Sequence, residues 1–552
     1  MKKFQFLTLT LLLFITASFI LSGCTKKPSV SSQASSLASS ASSNMEGNMY
    51  KTGLPIVKDK ITLKMVTQKR VFHGNFDEMK LLNDLEKSTN VDIIWDTIAQ
   101  AQYNEKKNLI LASNELPDAF FGQLSLTTND LVTYGASGVL VDMTTLLDKY
   151  APTIKSLMAS NPMFKNVAYA PDGKIYGLPR AKQIGINDAP DQMFIYKPWL
   201  DKLKLKIPTT LDEFRTVLTA FKTQDPNGNK KADEIPFSFR YKTHHQGMYS
   251  LFGSFGLADN VVSEDLAHMT IVNKKVVYVP VQAEYKQAVK YFSTLFAEGL
   301  IDKEAFTQDS KQYTAKGNTA DVTLGVFMSW NDYDVAGAER AKDYVVVPPM
   351  AGPDGKKAWN SYQHDNNGIV GNGFSITKVN KFPQVTMRWV DQFYNTDFSV
   401  EVQNAPIGIN IAKDASGKYS YLPTPAGMTA DEFVFHDSPI DAPGAVFAEM
   451  YVSGKLPMAA ATLKKYNYVE NNYRKYMTNL TFPGGVMFSQ EELKALQSMK
   501  TDIYNYVNDK QAEWLIKGGI DTQWEEYLGK LKTMKLDEMI AIYQKAYDRF
   551  AK

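Results

Sequence analysis

Apolar and polar residues alternate in Ile61-Thr62-Leu63-Lys64-Met65-Val66, and Val91-Asp92-Ile93-Ile94-Trp95 has a similar texture, so both are expected as strands. Between them Met79 to Ser88 carries helical spacing. A second helical stretch, Gln102 to Ser113, leads into Pro117-Asp118-Ala119-Phe120-Phe121, a short apolar run suited to a buried strand. The order strand, helix, strand, helix, strand predicts an open α/β lobe with a parallel sheet. Ligands of such sheets sit beyond the carboxyl ends of the strands. Those ends fall on Gln68, Lys69 and Arg70 and on Gly122 and Gln123.

The texture changes after Asp172-Gly173-Lys174-Ile175-Tyr176-Gly177-Leu178-Pro179-Arg180. Thr210 and Glu213 have capping-box spacing ahead of Leu211, Phe214, Val217, Leu218 and Phe221, which predicts a helix there. Later, Val322 to Met328 and Gly373 to Ile376 read as strands, and Gln384 to Tyr394 as a helix. The C-terminal stretch is expected to be helical throughout, opened by Ser489 and Glu492 and carrying Leu493, Leu496, Ile503 and Val507 on one face. A chain of 552 residues exceeds what one core normally fills, so two lobes or three domains are expected. The texture changes near Tyr176 and Gly368 divide it into one lobe of residues 56–178 plus 366–432 and another of 179–365 plus 433–552.

Hydrophobic residues at 44% and charged residues at 22% are globular values. The net charge is +2; setting aside residues 1–23, which hold Lys2 and Lys3 and no acid, leaves it at zero. A neutral surface argues against nucleic-acid binding, which needs a basic excess. Lys2 and Lys3 precede an apolar run from Phe4 to Ile20 that ends in Leu21-Ser22-Gly23-Cys24. That is the layout of a bacterial lipoprotein signal peptide spanning 1–23, with acylation at Cys24. The competing reading is an uncleaved membrane anchor. Cys24 is the only cysteine, so no intramolecular disulfide can form. From Ser29 to Asn44 the chain is mostly Ser and Ala, with an r.m.s. reach of about 20–25 Å, and 24–55 reads as a lipidated cysteine and tether. The expected location is the outer face of the cell membrane, held by lipid.

After the helix near Lys222 comes Asp225-Pro226-Asn227-Gly228-Asn229-Lys230-Lys231-Ala232-Asp233-Glu234. Asp225, Asn227, Asn229, Asp233 and Glu234, with the carbonyl of Lys231, offer the hard oxygens that Ca²⁺ takes. The spacing resembles an EF-hand loop, but Lys230 stands where glycine is usual and Pro236 where glutamate is. The alternative is a solvated surface turn. A closed calcium site here would be structural, pinning the helix to the strand at Ile235-Pro236-Phe237.

The leader, the tether, Lys174-Ile175-Tyr176-Gly177-Leu178-Pro179 and a strand ending in Trp330 together resemble the extracellular solute-binding proteins of carbohydrate ABC importers. Tyr196 to Leu203, Pro208 to Phe214, the Asp225 loop and Gly518 to Tyr547 are similar to the large alginate-oligosaccharide and polysaccharide-type members. The resemblance implies a two-lobe α/β fold of the periplasmic-binding-protein kind, with an interlobe ligand cleft and a helical C-terminus, closing on its ligand as a hinge. It also implies calcium in the 225–234 loop, an oligosaccharide ligand, ABC permease subunits as partners, and a monomer.

A sugar presents an apolar face that an aromatic ring covers and a rim of hydroxyls that polar side chains pair. Trp330 with Asp332 offers both. Trp359, Tyr362 and His364 are further candidates, with Arg70 and Gln68 at the first-lobe edge and Arg180 at the texture change. A glycoside hydrolase or lyase would require paired carboxylates, for which Asp332 and Asp334 are the nearest material. No GxSxG, Walker, dinucleotide or HExxH pattern occurs. A sensory or adhesive lipoprotein, or one that takes a peptide, is also compatible with the sequence.

Overall fold

The alternating segment at 61–66 extends into the strand Ile61–Lys69, which pairs in parallel along its whole length with Val91–Ala99. The connecting helix Lys80–Thr89 buries Leu81, Leu82 and Leu85, and Asn90 ends it in the left-handed region at φ 61°. Ala119–Phe121 joins the other side of Ile61–Lys69, also in parallel. In this computed structural model, residues 44–552 are described, apart from 114, 262, 264, 265, 363–367, 405 and 429. The expected signal peptide, Cys24 and the expected tether up to residue 43 lie outside the described residues. Among the described residues no helix is long and apolar enough to cross a membrane.

The first sheet has six strands, in the order Gly444–Val446, Leu178–Lys182, Ile369–Ile376, Ala119–Phe121, Ile61–Lys69, Val91–Ala99. Ile369–Ile376 runs antiparallel to both neighbours, so its start lies at the same edge as their carboxyl ends. Leu63, Trp95, Phe121, Leu178, Phe374 and Trp389 share the core beneath it.

A second sheet of four strands runs Tyr344–Val347, Gln192–Tyr196, Leu324–Ser329, Ile235–Ser238. Gln192–Tyr196 is antiparallel to its neighbours, whereas Leu324–Ser329 is parallel to Ile235–Ser238. The carboxyl ends of Leu324–Ser329 and Ile235–Ser238 therefore share an edge with the start of Gln192–Tyr196. The terminal helices Lys500–Lys517, Ile520–Thr533 and Leu536–Phe550 bury Trp514, Trp524 and Tyr543 in the same cluster as Phe194, Phe214 and Phe327. The helix before them, Gln490–Gln497, is opened by Ser489 and Glu492, which form a reciprocal capping box. At Thr210 only half a box forms. Its hydroxyl accepts from Glu213 N at 3.2 Å, but the Glu213 carboxylate returns to Thr209 N at 2.7 Å and Thr209 Oγ1 at 2.8 Å.

The lobe boundaries expected at 178 and 432 both fall too early. Leu178–Lys182 belongs to the first sheet because Leu178 and Ala181 fill its core, and Gly444–Val446 covers its outer edge in parallel. Val446, Tyr451 and Leu456 then pack with Val400, Ile411 and Tyr419 on the same lobe. The chain passes between the sheets over 183–191 and 447–459, and Ser361 and Ile369 belong to strands of different sheets.

Candidate functional site

Strand Ile61–Lys69 delivers Arg70 to the carboxyl edge of the first sheet. There its guanidinium grips Asp441 bidentately, Nε to Oδ2 at 2.5 Å and Nη2 to Oδ1 at 2.7 Å. Gln123, just past Phe121, donates to the same carboxylate at 2.9 Å and accepts from Arg180 Nη1 at 3.0 Å. Arg180 is buried and also holds the carbonyls of Ala442 and Ile440 at 3.0 and 2.8 Å. Burial pulls the Arg180 guanidinium down to about 10, against the attraction of Asp441. Burial alone would raise the Asp441 carboxyl, but the hydrogen bond and charge of Arg70, with Arg180 behind it, keep it below the usual carboxylate range. A cleft of about 330 Å³ is lined by these four side chains together with Lys182 and Phe435. Gln68, half-buried one turn of the pleat earlier, has a buried Oε1 with no partner.

His73 stabilises the loop after Arg70. Its Nδ1 accepts from Arg70 N at 3.3 Å, and its ring lies 5.6 Å from Phe76 and 5.7 Å from Phe435. Burial pushes the imidazole down to about 4, with Asp441 opposing and Arg70 reinforcing the shift. Between pH 4 and the ordinary value of 6.5 the unfolded chain binds a proton here that the folded chain refuses. Stability should therefore fall as pH falls through that window, by about 2 kcal/mol at pH 5 from this residue. Denaturant melts of wild type and His73→Phe at pH 7 and pH 5 measure it. The variant should lose less on acidification, and equal losses would remove His73 from the account.

At the matching edge of the second sheet, Trp330 follows strand Leu324–Ser329 and is half-buried. His245 meets its ring edge-on at 5.1 Å, and Lys465 Nζ stands 3.9 Å from the ring centroid. His244 stacks between His245 at 4.3 Å and Tyr362 at 4.4 Å. The two sheet edges thus carry complementary chemistry: a charged, hydrogen-bonding network on one and an aromatic cluster on the other.

Other expected residues are placed differently. Asp332 is 1% exposed; it caps the following helix through Tyr333 N and takes Lys464 Nζ at 2.5 Å, so it is committed within the protein. Asp334 accepts from Asn331 N at 3.0 Å rather than facing Asp332 as an acid–base partner. Trp359 is a correction: at 1% exposure it packs on Tyr473 at 4.8 Å inside the second core, because the strand Asn360–Ser361 is drawn into a sheet with Asn479–Thr481. Tyr362 is likewise corrected from rim to interior, 2% exposed beneath His244. His364 lies outside the described residues.

Sequence reasoning missed Asp441, Phe435, His245 and Lys465. Asp441 stands 371 positions from Arg70, and its Pro/Gly-flanked loop gave no sign of that pairing.

In the 225–234 loop the oxygens turn inward. Asp225 Oδ1 and Oδ2 accept from Gly228 N at 2.9 Å and Lys230 N at 3.2 Å, Asn227 Oδ1 accepts from Asn229 N at 3.0 Å, and Asn229 Oδ1 accepts from Lys231 N at 2.8 Å. The Asn227 and Asn229 amides both donate to Asp233. Lys230 adopts φ 61°, the conformation glycine would supply at this position, at a cost of about 1 kcal/mol. Glu234 Oε1 is buried without a partner, and burial raises its carboxyl, with Asp233 and Asp225 adding to the rise. An orphaned carboxylate in a loop of side-chain and carbonyl oxygens has the donor chemistry of a hard-cation site. Among the described residues no three His, Cys, Asp or Glu groups cluster as metal ligands, so the Asn and carbonyl oxygens would have to complete any shell.

No family model matches the chain. It is 33% identical over 560 aligned positions, covering 99% of each protein, to the fructooligosaccharide ABC transporter substrate-binding protein FusA of Streptococcus pneumoniae. The solved structure of that protein in complex with kestose superposes with a TM-score of 0.74 at 33% identity, covering 89% of this chain and 99% of the other. An EF-hand mutant of the same protein, in complex with fructo-nystose, gives 0.75 at 32% identity with the same coverage.

Proposed function

The chain belongs to the extracellular solute-binding proteins of carbohydrate ABC importers, and from that premise we infer that it captures a short oligosaccharide between the two sheet edges and presents it to the permease subunits. The observation that carries this reading is the prebuilt network of Arg70, Asp441, Gln123 and Arg180 lining one cleft. Its bidentate pair and amide suit vicinal hydroxyls, and its members are held by one another before any ligand arrives. Trp330 supplies the apolar platform on the second lobe. The lobes close about the crossing segments, the body acts as a monomer, and lipid on Cys24 keeps it at the outer face of the membrane.

Fructooligosaccharides are the ligand class suggested by the similar protein. Titration of the full chain with kestose, followed by calorimetry and tryptophan fluorescence, should show saturable one-site binding. Absence of binding to kestose, nystose and longer fructans would overturn the fructan assignment. Binding to oligogalacturonides instead would move the ligand to acidic sugars.

The 225–234 loop is read as a structural Ca²⁺ site held by Asp225, Asn227, Asn229, Asp233, Glu234 and the Lys231 carbonyl; the EF-hand of the similar protein supports this. Because ligation of the native state adds RT ln(1 + [L]/Kd), chelation should lower the melting temperature, and added calcium should restore it in proportion to the logarithm of its concentration. Asp225→Ala should abolish the response. A melting temperature indifferent to both treatments would reduce the loop to a turn.

A further inference from the structure

Lys465 is 2% exposed, yet among the described residues no carboxylate lies within 4 Å of its ammonium. Nζ instead donates to the Trp330 carbonyl at 2.7 Å, lies 3.5 Å from the Pro190 carbonyl, and sits over the Trp330 ring at 3.9 Å. Its neighbour Lys464 does the opposite, reaching out to pair with Asp332. The helix that carries both, Ala460–Tyr468, runs directly into the π-helical segment Val469–Tyr473, a distortion that re-aims side chains and recurs at functional sites. Filling space at this position would be done at less desolvation cost by methionine. What only the ammonium can do is tie three elements to one aromatic ring: the helix, the end of Leu324–Ser329 and the chain just before Gln192–Tyr196.

We propose that Lys465 is a positioning residue for sugar capture: its ammonium braces one face of Trp330 so that the other is presented to the ligand, and because the brace needs the charge, affinity falls as pH rises through neutrality. This rests on the oligosaccharide-binding reading above. Burial pushes the Lys465 ammonium down to about 7, against the attraction of Asp191 and Asp334. The groups facing it are Asp191 at the start of the second sheet, Asp334 on the helix after Trp330, and His245 at the ring edge. On its own helix are Lys464, paired to Asp332, and Tyr468. Asp191 is itself raised to about 6 by burial, so above that pH its charge favours the ammonium until Lys465 titrates. Deprotonation then removes the cation–π contact, whose desolvated form is worth about thirtyfold in an equilibrium.

The test follows tryptophan fluorescence of the unliganded chain from pH 5.5 to 9, and separately kestose binding at pH 6 and pH 8.5. Wild type should show a fluorescence transition near neutrality that Lys465→Met and Trp330→Phe each abolish, with kestose binding about thirtyfold weaker at the higher pH. Lys465→Met should bind weakly at both pH values, and Lys465→Arg should bind tightly at both. Wild-type affinity and pH profile in Lys465→Met, or a wild-type profile in Lys465→Arg, overturns the proposal. Should Lys465→Met not fold, Lys465→Arg and the wild-type transition decide alone. If kestose binds at neither pH the ligand reading fails, while the unliganded transition still tells whether the brace exists.

Discussion

Trp330→Ala is expected to weaken oligosaccharide binding by about thirtyfold or more while leaving the melting temperature nearly unchanged. The ring is half-buried at a strand end, with one face under Lys465 and one edge against His245, so it contributes to no core that its loss would open. An aromatic platform against a sugar face is desolvated only when the lobes close. Its truncation costs about 2 kcal/mol or more in binding, which is the size of a hot spot. Trp330→Phe should keep part of the affinity, because a smaller ring still covers the sugar's C–H face. Calorimetry with kestose reads the first quantity and scanning calorimetry the second. Normal binding by the Ala variant, or its unfolding without ligand, would return Trp330 to the packing residues.

Trp359→Ala should do the reverse. The indole is 1% exposed and packs on Tyr473, which in turn holds Met193 N and the Val347 carbonyl through its hydroxyl. Removing it leaves a cavity beneath the second sheet, and large-to-small changes of this kind cost about 3–5 kcal/mol. Urea unfolding should show that loss, while kestose affinity measured well below the transition stays near wild type. A stable variant that no longer binds would place Trp359 in the cleft after all.

The two tryptophans show where sequence is informative and where it stops. Trp330 closes an apolar run that reads as a strand, whereas Trp359 lies in a loop-like stretch whose local pattern does not tell a cleft residue from a core one. What buries Trp359 is the pairing of Asn360–Ser361 with Asn479–Thr481, more than a hundred residues away in the chain. The first-lobe strands and the position of Arg70 were legible because period-two alternation is local and the strand-end rule needs only the end of a strand. Arg180 was found at a texture change, although it lies in the first sheet and not beyond it. Asp441, which gives Arg70 its meaning, carries no local signal at all. The 225–234 loop was legible as a motif because all of its oxygens lie within ten consecutive residues.

The strand Ile369–Ile376 sits between Ala119–Phe121 and Leu178–Lys182 in the first sheet. The amino-terminal half of the chain therefore cannot complete its own lobe as it emerges from synthesis. Its central strand arrives only after most of the second lobe, and that lobe in turn awaits the terminal helices that carry Trp514 and Trp524. Neither lobe is a vectorial folding unit. The nascent chain must keep Ala119–Phe121 and Leu178–Lys182 apart, with apolar strand faces unsatisfied, for nearly two hundred residues of elongation. Loop-closure entropy of that span makes the pairing slow. Folding here is a late, whole-chain event, and a chain truncated before residue 369 would be material for proteases and chaperones, with no half-receptor to show for it.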